Sequence, residues 1–153
     1  MTLKNSEKIL EISQRALICF ENNFPRLSNI NVFPKNYCEE SSLILNRLLN
    51  TEGIVDFKLI KGTNDKNQHH YWLENQKYVI DLTAHQFEET AHPFILVLKN
   101  EYPLRIVFYQ NIHEITQFPY WEFLENLSSK IKDTFYSEYK LILINAIHKL
   151  SQI

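Results

Sequence analysis

Glycine is almost missing from this 153-residue chain, which has only two, Gly53 and Gly62. Neither has the spacing of a dinucleotide-binding turn or a P-loop, so a Gly-rich phosphate cradle is excluded. Long apolar runs are missing too. The longest, Phe94 to Leu98, falls far short of the roughly 20 residues that span a bilayer, so no membrane contact is expected. Met1 to Gln14 mixes polar and apolar residues and lacks the continuous apolar stretch of a cleavable signal peptide. That favours the cytoplasm, although export without a cleavable signal stays open. No excess of one charge occurs: the net charge is -2, and the lysines are scattered, so no nucleic-acid footprint is expected. Cysteine is scarce as well. Two thiols in a reducing compartment are expected to be free.

What remains is an ordinary globular composition, 44% hydrophobic and 13% aromatic, in a length suited to one domain over residues 1–153. Ile9, Ile12, Ala16, Cys19 and Phe20 recur at helical spacing, predicting a helix from about Ser6 to Phe24, ended by Pro25. A second helix is expected from about Tyr37 to Leu49. Short β-like segments follow: Val55 to Leu59, His70 to Glu74, Tyr78 to Thr83, Phe94 to Leu98 and Leu104 to Tyr109. The stretch from Gly62 to Gln68 reads as a loop. A last helix is expected from Ser128 or Ser129. Grouped strands between helices indicate an α+β fold with an antiparallel sheet on which the helices pack.

Cys38 carries the chemical interest. With Asn36 as cap and Glu39 three residues later, the spacing is that of a capping box, and Cys38 falls at the second helical position. The positive end of the helix dipole favours a thiolate there, while Glu39 and Glu40 oppose it. Cys19, mid-helix among apolar residues, reads as packing. If Asn75-Gln76 forms a two-residue turn, Glu74 faces Lys77, Trp72 faces Val79 and His70 faces Asp81 on one side of the sheet. His69 then points to the other side. Asp81 would orient His70, and His70 would take the proton of Cys38. Metal binding by Cys38, His69, His70, Asp81 or His85 is disfavoured, because adjacent strand histidines diverge and no zinc-type spacing occurs. No cofactor is expected. His85, His92, His113 and His148 read as loop or surface residues.

A cysteine at a helix start, then a histidine and an aspartate on neighbouring strands, resembles the layout of transglutaminase-like and papain-like cysteine hydrolases. His70-Tyr71-Trp72-Leu73-Glu74, Tyr78-Val79-Ile80-Asp81-Leu82-Thr83 and Gln86-Phe87 are similar to a pattern in small bacterial transglutaminase-like proteins. The resemblance covers about Phe33 to Phe87. It implies a nucleophile-bearing helix packed on an antiparallel sheet, with Cys38 as nucleophile, His70 as base and Asp81 as orienting acid. It implies an amide hydrolase or acyl transferase acting on a protein or peptide, as peptidase, deamidase or crosslinker, in some members as a toxin or effector. Tyr37 stands where many relatives carry glycine. Besides the Cys38 N–H, the oxyanion-hole candidates are Asn36, Gln68 and Gln86; Tyr37 and Trp72 are candidates to line the substrate. The alternative is a catalytically inactive protein-binding module on the same scaffold, with Phe118 to Trp121 as its partner surface.

Overall fold

The computed structural model describes residues 3–24, 34, 37–117 and 125–138. Helix α1 (Leu3–Asn23) buries the predicted stripe: Ile9, Ile12, Ala16, Cys19 and Phe20 are all inside. Helix α2 (Cys38–Thr51) presents Ile44, Leu45, Leu48 and Leu49 to the same core and ends at Gly53, whose φ of +85° suits glycine. Five strands follow: β1 (Lys58–Thr63), β2 (His69–Glu74), β3 (Tyr78–Asp81), β4 (Phe94–Leu98) and β5 (Gln110–Glu114). They form one sheet in the order β4-β3-β2-β1-β5, with every pairing antiparallel. The protein is therefore α+β, as the grouping of its elements predicts.

Strand alternation separates two apolar layers. Leu59, Leu73 and Ile80 face α1, α2 and the helix over residues 125–138, which contributes Leu127, Ile131 and Phe135. Ile60, Trp72 and Val79 face the other way, against Ala84, Tyr102, Leu104 and Phe108. Among the described residues no helix is long and apolar enough to cross a membrane.

Four expectations are corrected. The first strand begins at Lys58 rather than Val55, because a ladder needs a partner and β2 ends at Glu74, opposite Lys58. It also continues through Gly62 and Thr63, which the polar stretch had suggested were loop. Leu104 to Tyr109 is not a strand: Leu104–Val107 forms a short helix, α3, with Phe108 N–H bonded to the Leu104 carbonyl at 2.8 Å. Leu104 and Phe108, four apart, are both fully buried, whereas Ile106 between them is 77% exposed. The true fifth strand, Gln110–Glu114, is polar, largely exposed and carries no apolar alternation. The last helix already includes residue 125. His148 and the aromatic group Phe118 to Trp121 lie outside the described residues.

The hairpin turn is also displaced. Leu73 pairs with Ile80 and Glu74 with Val79, so Asn75 faces Tyr78 across a turn made by Gln76 and Lys77. Asn75 acts as the anchor of the turn: its Oδ1 accepts the N–H groups of Lys77 and Tyr78 at 3.0 and 2.7 Å. The two-residue shift in pairing moves Asp81 from directly opposite His70 to the diagonal position. It keeps both side chains on one face, since only an odd slip would reverse it. Replacing Asn75 by Ala removes both acceptors and is expected to cost about 1 kcal/mol, read as a lower urea midpoint. An unchanged midpoint would mean the turn holds without its anchor.

Candidate active site

Asp81 ends β3 where the pairing with β4 shifts register, an irregularity that re-aims side chains. It is 1% exposed, and each of its oxygens has two donors. Oδ2 accepts from the Tyr102 hydroxyl at 2.5 Å and lies 2.6 Å from His70 Nε2. Oδ1 accepts from the Thr83 amide at 3.0 Å and the Thr83 hydroxyl at 3.3 Å. A buried carboxylate with four donors is held in one orientation. Because Nε2 faces this carboxylate, it carries a proton, and the other ring nitrogen, Nδ1, is the one that can exchange a proton with a neighbour.

His70 itself is fully buried. Its ring meets Phe87 edge-on at 4.7 Å and lies 5.3 Å from Phe108 and 5.9 Å from Trp72. Burial alone would lower its pKa. The Asp81 charge and hydrogen bond, with the Cys38 thiol as a further partner, outweigh burial and raise it to about 10. Nδ1 is buried yet closes no hydrogen bond of good geometry, so the Cys38 sulfur lies within electrostatic reach of the ring without being locked to it.

Cys38 is the first residue of α2, with Tyr37 rather than Asn36 in the cap position and no side-chain cap. Asn36 lies outside the described residues. Cys38 is half-buried, and its N–H belongs to the first turn, where such donors lack intrahelical acceptors. The helix packs on the Leu73 side of the sheet, whereas His70 points to the Trp72 side. The two meet because Cys38 starts its helix and His70 is the second residue of its strand. Tyr71 lies on the helix side, where burial first, then Glu39 and Cys38, push its pKa up to about 12. The opposition expected from the glutamates is weakened by their own surroundings. Burial, with Glu39 adding to it, raises Glu40 to about 7, so near neutral pH much of it is uncharged. Burial also raises Glu39.

The contrast with Cys19 holds. That thiol is 1% exposed, and burial, followed by the charge of Glu138, raises it to about 11. It is a packing residue with little thiolate at neutral pH.

Gln68 is exposed, and its Oε1 is occupied by Asn64 Nδ2 at 2.9 Å. Gln86, half-buried in the short helical turn Ala84–Gln86, directly precedes the Phe87 that packs on His70. Of the described side-chain candidates for the oxyanion hole, Gln68 and Gln86 line one hollow, and Gln86 is the one next in sequence to a ring packed on His70. Tyr37 and Trp72 have no face to offer a substrate. Tyr37 is 2% exposed and packs 4.8 Å from Phe24, while Trp72 is fully buried and donates to Glu74 Oε1 at 2.9 Å. Glu74 is in turn bridged by Lys99 at 3.2 Å and Arg105 at 3.5 Å. Among the other histidines, His69, His92 and His113 are exposed and His85 is half-buried. Among the described residues no three His, Cys, Asp or Glu side chains gather as metal ligands.

Among the described residues, two surface hollows bear on the site. The larger, about 750 Å³, is lined by Glu74, Asn75, Lys77 and Lys99 at the hairpin turn and includes neither Cys38 nor His70. The other, about 550 Å³, also includes neither Cys38 nor His70 but is lined by Gln68, Gln86, Phe87 and Phe108, of which Phe87 and Phe108 pack on His70. Position relative to the polar pair, more than size, makes the smaller one relevant to chemistry at His70.

Tyr102 is the residue that sequence reasoning missed. It falls in a stretch, Asn100 to Pro103, that reads as a polar connector, and a buried phenol there was the only available signal. Comparison finds no match for the chain among protein-family models, curated proteins or solved structures.

The raised pKa of His70 has a consequence for stability. The folded state keeps the proton where the unfolded state, with an ordinary value near 6.5, releases it. The stabilisation is complete below about pH 6.5 and is lost as pH rises towards about 10. Urea midpoints are therefore expected to fall steadily between pH 7 and 9. A midpoint that stays level or rises across that range would contradict the ion pair.

Proposed function

We propose that this chain is a cysteine-dependent amide hydrolase or acyl transferase acting on a protein or peptide, with Cys38 as nucleophile, His70 as acid and base, and Asp81 as the group that orients His70. The observation that carries the reading is the buried His70–Asp81 pair at 2.6 Å, with Nδ1 left open beside a half-buried thiol at a helix start. A purely structural histidine in such a place would have both nitrogens bonded.

In this reading the proton shared by Cys38 and His70 rests on Nδ1, as a thiolate–imidazolium pair, and the thiolate adds to an amide carbonyl to give a tetrahedral oxyanion. The first-turn N–H groups of α2, Cys38 included, stabilise both the thiolate and the oxyanion. The imidazolium then protonates the leaving amine, the C–N bond breaks, and a thioester to Cys38 remains. Water completes hydrolysis; a second amine completes acyl transfer. A glutamine side chain as substrate releases ammonia, and a peptide bond releases a new amino terminus.

The test is the rate at which iodoacetamide labels Cys38 at neutral pH. The expected result is labelling at least about tenfold faster than an ordinary exposed thiol of pKa near 8.5, with Cys19 unlabelled in the folded protein. Labelling at the rate of an ordinary thiol, or none, would favour the inactive protein-binding module instead.

A further inference from the structure

We infer that Tyr102 is a positioning residue of the same centre: its hydroxyl shares Asp81 Oδ2 with His70 and thereby sets how strongly Asp81 holds the imidazolium. This rests on the functional reading only in assigning the pair to a reaction; the effect on His70 follows from the geometry alone.

Both donors converge on one oxygen, Tyr102 at 2.5 Å and His70 at 2.6 Å, in a space closed to water. Two donors on one lone-pair-bearing oxygen divide its negative charge between them. The phenol therefore moderates the pull of Asp81 on His70. Tyr102 is itself fixed. It is 1% exposed, its ring lies 5.6 Å from Trp72 and 5.7 Å from Phe94, and its N–H donates to the Lys99 carbonyl at 3.3 Å. Packing fixes the ring, so the hydroxyl reports on Asp81 and not on solvent. Burial, and then the neighbouring Asp81 charge, raise the phenol far above its ordinary pKa, so it stays a donor at working pH.

The charged and titratable groups that face this cluster are few. Cys38 acts on both His70 and Tyr102. Glu74 acts on Tyr102, and Asp81 acts on His85. Glu74 is compensated by Lys99 and Arg105, and burial keeps His85 below its ordinary pKa. No described group other than Asp81 and Cys38 is placed to raise His70.

Removing the phenol oxygen leaves Oδ2 to His70 alone. The protonated pair then becomes harder to deprotonate, because the Asp81 charge, no longer shared with the phenol, attracts the imidazolium more strongly than it attracts the neutral ring. The test is titration of the His70 ring by nitrogen-15 NMR in the wild type, Tyr102→Phe and Leu104→Ala. Leu104 belongs to the same apolar cluster, is fully buried and touches no member of the pair by hydrogen bond, so its truncation reports packing loss alone. The His70 pKa is expected to move up by about one in Tyr102→Phe and to stay in place in Leu104→Ala although that variant melts earlier. An unmoved titration in Tyr102→Phe, or an equal movement in Leu104→Ala, would overturn the inference. If Tyr102→Phe does not fold, Thr83→Val removes a donor from Oδ1 instead. An upward movement there, smaller because Oδ1 does not face His70, supports charge sharing, and no movement overturns it. Slow alkylation of wild-type Cys38 would remove the proposed reaction and leave this result standing.

Discussion

Asp81→Asn is expected to bring alkylation of Cys38 down to the rate of an ordinary thiol, to lower amide turnover by up to about 10⁴-fold, and to cost about 3–5 kcal/mol of stability near neutral pH. The reason lies in which end of the new amide can face which neighbour. The Oδ1 position receives the Thr83 backbone N–H, a donor that cannot turn away, so it must remain an oxygen. The NH₂ group is forced into the Oδ2 position, where the Tyr102 hydroxyl can rotate to accept but His70 Nε2 must also accept. That leaves a neutral ring with its one proton on Nδ1, aimed at Cys38, so the imidazolium that would pair with the thiolate no longer forms. Nitrogen-15 shifts of the ring give the check independent of rate: near neutral pH the wild type carries protons on both nitrogens, the variant on Nδ1 alone. If Asp81→Asn labels as fast as wild type, Asp81 does not orient the base.

Gly62→Ala is expected to cost about 2–3 kcal/mol, more than Gly53→Ala at about 1. The two glycines are needed for different reasons. At Gly53 the backbone has φ +85° and a Cβ would meet nothing within 4 Å, so the cost is conformational. At Gly62 a Cβ would lie 2.3 Å from the Phe108 carbonyl oxygen and 2.8 Å from the Trp72 ring. The first of these is backbone and cannot swing aside. Gly62 sits directly opposite His70 on the neighbouring strand, and Phe108 and Trp72 are two of the rings around the imidazole. The displaced parts are therefore those that fix the base, and slower labelling of Cys38 is expected alongside the lower urea midpoint. Equal midpoints for the two alanine variants would show that Phe108 and Trp72 give way easily.

Much of this was legible in the residues, for local reasons. The stripe from Ile9 to Phe20 and the run from Phe94 to Leu98 carry their own periodicity, and both elements form where expected. His70 and Asp81 share a face because strand parity survives any even slip, so the misplaced turn did not separate them. Other features depend on partners distant in the chain. The start of β1 is set by where β2 ends, and β5 pairs with β1 without any hydrophobic pattern of its own. The Leu104 to Tyr109 stretch carries an alternation that fits a strand, but burying both Leu104 and Phe108 required a helical turn. Tyr102 lies 21 residues from Asp81, and the burial of Tyr37 and Trp72 follows from layers no local window contains.

The division of labour between strands and loops has a consequence for retargeting. His70 and Asp81 stand on neighbouring strands, and Tyr102 and Thr83 brace them from within the core. The hollow lined by Phe87 and Phe108 takes its walls from three separate connectors, around Asn64 to Gln68, Gln86 to Glu89 and Ile106 to Tyr109. Those connectors can change length or charge without altering the 2.6 Å contact on which the reading rests. Under the proposed function, preference for one polypeptide over another would be adjustable at the rim, while the His70–Asp81 pair stays fixed with the sheet.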